Sequence, residues 1–135
     1  MNILVSRTIQ SGCLIVILSG LLAGCGAKQD GPQRFSVSGT VTYKGEPIPR
    51  GTVTISPNMA KGNEGPVGIA QIINGKYDTN ASGAKSPIAG ELLIQVDGYG
   101  PANPNEEVPT PLFKSYVLEM SLPEKSNVVD IVVPE

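Results

Sequence analysis

The chain has 135 residues, with ten Lys and Arg against twelve Asp and Glu for a net charge of −2, and it contains neither His nor Trp. Those absences exclude histidine-dependent acid–base catalysis, histidine-ligated zinc and a tryptophan stacking platform. The mild acidity offers no clustered basic face for nucleic acid.

Residues 1–12 carry one charged side chain, Arg7, and residues 13–23 are apolar or small throughout. As a helix this eleven-residue run rises only ~16 Å against a bilayer core of about 30 Å, which suits the apolar region of a signal peptide rather than a stable span. On the run alone, an ordinary cleaved signal and a membrane helix with an incidental cysteine remain open. The run ends in Leu22-Ala23-Gly24-Cys25. This tetrapeptide resembles the lipobox of bacterial lipoproteins at every position. The resemblance implies that Leu22, Ala23 and Gly24 are read by the signal peptidase and that the chain is cut before Cys25. It also implies that Cys25 carries lipid on its sulfur and an acyl group on its new amino terminus. Each buried methylene contributes about 0.8 kcal/mol, so two or more chains anchor where one does not. Gly26 stands where an Asp would favour retention in the inner membrane, which points to the outer membrane.

On that reading residues 1–24 are a signal peptide, and 111 residues remain, enough for one modest core. They hold nine basic and twelve acidic side chains, net −3, and the lipid consumes their one cysteine. The domain then has no disulfide and depends on packing. Residues 25–33 are polar and aperiodic. They read as a flexible tether that holds the domain some 15 Å from the lipid.

Strict alternation starts at Phe35, with Val37, Gly39, Val41 and Tyr43 on the same side. Residues 44–51 carry Gly and Pro turn chemistry. A second strand follows with Val53 and Ile55 inward. Residues 67–73 are strand-like, with the buried face open between Ile69/Ile73 and Ala70/Ile72. Asn74-Gly75 then predicts a hairpin turn into Lys76-Tyr77-Asp78-Thr79. Residues 91–97 alternate with Leu92, Ile94 and Val96 inward, residues 98–111 are irregular with four prolines, and Tyr116, Leu118, Met120 and Leu122 mark a further strand. Residues 128–133 close the chain with Val129, Ile131 and Val133 inward, and their outer edge is a candidate for strand addition by a partner. No convincing helical period occurs after residue 25. Seven short strands separated by turns predict an all-β sandwich.

Several of these stretches are similar, in order, to the carboxypeptidase regulatory-like domains. They are Val37-Ser38-Gly39-Thr40-Val41, Gly45-Glu46-Pro47-Ile48-Pro49, Asn74-Gly75-Lys76-Tyr77, and Gly90-Glu91-Leu92-Leu93-Ile94-Gln95-Val96 with Gly98-Tyr99. The resemblance covers about residues 35–133. It implies a seven-stranded, Ig-like, transthyretin-like β-sandwich over residues 34–135 and a module without chemistry of its own. The proline-rich segment 99–111 departs from the family pattern.

Candidate sites are few. Tyr99, between two glycines at the entrance to the proline-rich segment, is the candidate ligand contact, for a glycan or a proline-recognising partner. The alternative is a ring folded back over the sandwich edge. Glu106 and Glu107 with Asn103 and Asn105 offer oxygen atoms but lack the spacing of a calcium loop and read as a solvated acidic loop. Lys44, Arg50, Lys61 and Lys85 read as dispersed solubilising charges. No metal site, cofactor or catalytic residue is expected. The expected function is a membrane-anchored, non-catalytic lipoprotein of the bacterial envelope with a structural or protein-binding role. The alternative is a glycan- or small-ligand-binding surface module.

Overall fold

Apolar and polar side chains that alternate along a strand place one face of a sheet against a core, and from Val37 onward the chain does this repeatedly. The computed structural model describes Gly26 and residues 30–135. The expected signal peptide, with Leu22, Ala23, Gly24 and the expected lipid site Cys25, lies outside the described residues. The chain divides into two units, Met1–Asp30 and Gly31–Glu135, and every strand among the described residues belongs to the second.

The strands are β1 (Val37–Tyr43), β2 (Glu46–Pro47), β3 (Arg50–Pro57), β4 (Gly68–Ile73), β5 (Lys76–Asp78), β6 (Gly90–Tyr99), β7 (Tyr116–Leu122), β8 (Asn127–Val128) and β9 (Ile131–Val133). One short 3-10 turn, Met59–Lys61, is the sole helical element among the described residues. The sheet runs β2-β1-β5-β4-β3-β6-β7, with β8 and β9 both pairing to β1. All pairings are antiparallel except β1 with β8 and with β9. Residues 37–40 of β1 bond β5 and β8, whereas residues 41–43 bond β2 and β9, so the sheet curls around this strand. No helix among the described residues is long and apolar enough to cross a membrane.

Val37, Val41, Val53, Ile55, Leu92, Ile94 and Val96 are fully buried on the inner face. The register resolves the open face of β4. Val53 lies opposite Ala70 and Gly51 opposite Ile72, so those two residues turn inward, while Ile73 is left 66 % exposed. Two hairpins close with two-residue turns, Lys44-Gly45 and Asn74-Gly75, and all four residues have positive φ. That is the conformation which matches the right-handed twist of the flanking strands.

The structure corrects the sequence reading at several points. The first strand starts at Val37, because Phe35 instead gives its N–H to the Pro87 carbonyl at 2.9 Å. Ile48, expected in a turn, is buried core, held extended between Pro47 and Pro49 with its N–H on the Val41 carbonyl at 3.1 Å. β6 continues through Gly98 and Tyr99, opposite Gly51 and Arg50, so the irregular segment starts later than expected. Gly98 permits this because a Cβ there would lie 2.7 Å from the Phe113 ring. The final strand is interrupted. At Gly39 a Cβ would sit 2.0 Å from the Val129 carbonyl oxygen, and the Asp130 carboxylate takes the Thr40 N–H at 2.9 Å in place of a backbone acceptor. With β2 added and the last strand split, the seven expected strands become nine segments.

Candidate functional site

The outer face of the sheet ends in a lateral row. Ile73 lies opposite Arg50 across β4 and β3, Arg50 lies opposite Tyr99 across β3 and β6, and Tyr99 bridges to Pro111. Tyr99 is half-buried. With Asp97, Pro111, Phe113, Lys114 and Ser115 it lines an open depression of about 530 Å³. Asp97 accepts hydrogen bonds from the Ser115 hydroxyl and from the Gln95 amide. Phe113 reaches under the depression and packs on Tyr43 with ring centroids 4.9 Å apart, and the Lys44 ammonium sits 5.3 Å from the Tyr43 ring centre.

The proline-rich segment beside this row is clasped to the sheet. Arg50 donates from Nε to the Gly100 carbonyl at 2.7 Å and meets the Glu106 carboxylate at 3.3 Å. Glu106 also accepts the Thr110 N–H at 2.9 Å and the Thr110 hydroxyl, and Leu112 donates to the Gly98 carbonyl at 2.9 Å. The Thr110 hydroxyl is the first cause that holds the Glu106 carboxyl below the usual carboxylate range. The Thr110 N–H and Arg50 add to it, and partial burial works the other way. Glu107 is exposed. Among the described residues no group of three or more Cys, Asp or Glu is placed to hold a metal ion.

Arg50 and Lys61 are therefore not dispersed solubilising charges. Lys61 bridges Glu119 at 2.8 Å and Glu91 at 3.6 Å, and the Glu119 hydrogen bond is the main cause that raises its pKa. No local pattern announces either cluster, because the partners are 56 residues apart for Arg50 and Glu106. Phe113 likewise lies between the proline-rich segment and β7, outside any strand alternation.

The chain enters the domain at the other end of the strands. Pro32, Gln33 and Phe35 lie against Ile88, Gly90, Leu122 and Glu124 around a depression of about 380 Å³. Arg34 fastens the entry by donating to the Ser86 carbonyl at 2.6 Å. β3 and β6 run from this end to the Tyr99 row, which separates the two by about 30 Å at the usual rise per strand residue. Comparison with family models, with curated proteins and with solved structures returned no match.

Proposed function

We propose that the chain is a lipid-anchored protein of the bacterial envelope whose β domain binds another protein rather than transforming a substrate. The observation that supports this most is polarity along the domain. Pro32, Gln33 and Phe35 lie at one end of the strands, and Tyr99 with the clasped proline-rich segment lies at the other. A lipid at Cys25 would hold the entry end near the bilayer and present the Tyr99 row outward. A binding rather than catalytic role is favoured by the carboxylates near that row. Asp97 is engaged by Ser115 and Gln95, and Glu106 by Thr110 and Arg50. In this reading the curled sheet is the transthyretin-like sandwich of the carboxypeptidase regulatory-like domains. β1, β3, β4, β5, β6, β7 and the β8–β9 pair are its seven strands.

Intact mass of the protein from its native membrane tests the anchor. Cleavage before Cys25 with added acyl chains supports it, and an unmodified chain starting at Met1 overturns it. Crosslinking through a photoreactive residue at position 99 in the same membrane tests the presentation. The depression favours a second reading, a glycan contact, because it combines the Tyr99 and Phe113 rings with the polar groups of Asp97, Lys114 and Ser115. Binding of envelope oligosaccharides that is lost in Tyr99→Ala would favour it over a protein partner.

A further inference from the structure

β7 closes one end of the sheet. All seven of its residues pair with β6, and none has a second strand partner among the described residues. Exposed edges are normally blunted by proline, lysine, a bulge or brevity. The other end of the sheet is blunted in this way, since β2 has two residues and one is Pro47. The closing segment, read from sequence as an edge for strand addition, is split into pieces of two and three residues. β7, Tyr116-Val117-Leu118-Glu119-Met120-Ser121-Leu122, contains neither proline nor lysine and pairs without a bulge. Its inner side chains Tyr116, Leu118 and Met120 touch the core but stay half-exposed, and Val117 on the outer side is 51 % exposed.

We infer that the β7 edge takes an extended segment of another protein as an added strand, with apolar residues on the inner side and a basic residue beside Glu119. Main-chain hydrogen bonds to an open edge supply affinity, and the alternate side chains supply selectivity. The apolar requirement comes from Tyr116, Leu118 and Met120, which an added strand would cover. The charge requirement comes from Lys61, a single cation that serves the two carboxylates Glu91 and Glu119 and leaves this patch one negative charge in excess. A second copy of the chain is the poorer occupant. Antiparallel pairing of two full β7 strands places the central Glu119 opposite its own counterpart, and like charges directly opposite are destabilising. Other registers pair fewer residues.

The inference takes from the proposed function only that the partner is a protein, and it does not depend on lipid at Cys25. The experiment uses the processed chain and short capped peptides that alternate valine with lysine, valine with glutamate, or valine with lysine and N-methylated at every second amide. The valine–lysine peptide is expected to slow hydrogen exchange at β7 amides and to bind about fivefold or more tightly than the valine–glutamate peptide. Glu119→Lys, at an exposed position, should reverse that order, and the N-methylated peptide should not bind. Equal affinity of the two charged peptides, protection away from β7, or a dimer held through β7 in sedimentation overturns the inference. Cys25→Ser should bind the peptides like the parent chain, so failure of the anchor and failure of the edge are separately visible.

Discussion

β1 and β7 are both seven-residue strands with the same apolar–polar alternation, yet they stand in different environments. β1 has neighbours on both sides, and Val37 and Val41 are fully buried. β7 has a neighbour on one side, and Tyr116, Leu118 and Met120 on its inner face remain partly open. Alternation determines which face of a strand turns inward. The number of neighbours determines how completely that face leaves water, and so how much each side chain contributes.

The largest expected effect comes from that difference. Ile131 on β9 is 3 % exposed and lies beside Val41 of β1. Ile131→Ala should therefore cost about 2–5 kcal/mol in denaturant unfolding, through lost burial and the cavity left behind. Leu118→Ala at the half-exposed edge should cost roughly half as much or less, because less area leaves water there. Equal losses would mean that β7 is as enclosed in solution as β9 against β1.

Gly39→Ala attacks the same seam from the other side. A Cβ at residue 39 would lie 2.0 Å from the Val129 carbonyl oxygen, so backbone must move to admit it. The expected cost is about 3 kcal/mol, and hydrogen exchange should rise at Val129 and Thr40, whose N–H groups bond across this seam. An unchanged exchange pattern would show that the seam has slack.

Tyr77→Phe removes the hydroxyl that donates to the Val129 carbonyl at 2.7 Å. A buried acceptor loses its partner, at a cost of about 1–2 kcal/mol. Burial also pushes the Tyr77 phenol well above its ordinary pKa, with Asp130 adding to the shift. A group whose folded pKa is raised stabilises fully below the unfolded value, near 10 for tyrosine, and loses that contribution as pH rises toward the folded value. The parent chain should lose stability above about pH 10 more steeply than Tyr77→Phe, measured by urea midpoints across that range.

Much of this was legible in the sequence, and the limits have a physical cause. Asn74-Gly75, the inward sets of β3 and β6, and Val129, Ile131 and Val133 are local signals of period two or of positive φ, and the structure places them as read. The buried face of β4 stayed open because both of its faces carry isoleucine, and only pairing with Gly51 and Val53 decides between them. Asp130 as a stand-in acceptor and Arg50 as the clasp of the proline-rich segment depend on partners 90 and 56 residues away. Tyr99 was legible as a residue at the mouth of that segment, but not as the end of a strand or as part of a row with Ile73.

The smallest effect concerns the end of the domain that holds Tyr99. Its segment is tied down by exposed or half-exposed groups, so loosening it should hardly move the unfolding midpoint and should appear instead in local exchange. The Glu106 carboxyl is held below its usual range, first by the Thr110 hydroxyl and then by the Thr110 N–H and Arg50. A depressed folded pKa gives a contribution that is present above the unfolded value and is lost as pH falls through the folded one. The clasp should thus persist at neutral pH and open only once the pH falls beneath the ordinary carboxylate range, with Thr110 and Leu112 amides exchanging faster once intrinsic rates are allowed for. Glu106→Gln should show that fast exchange already at neutral pH and flatten its pH dependence, while β7 amides, which do not touch the clasp, stay as in the parent. If exchange at Thr110 is the same with either side chain, the ion pair does not hold the segment, and Arg50 supports it through the Gly100 carbonyl instead.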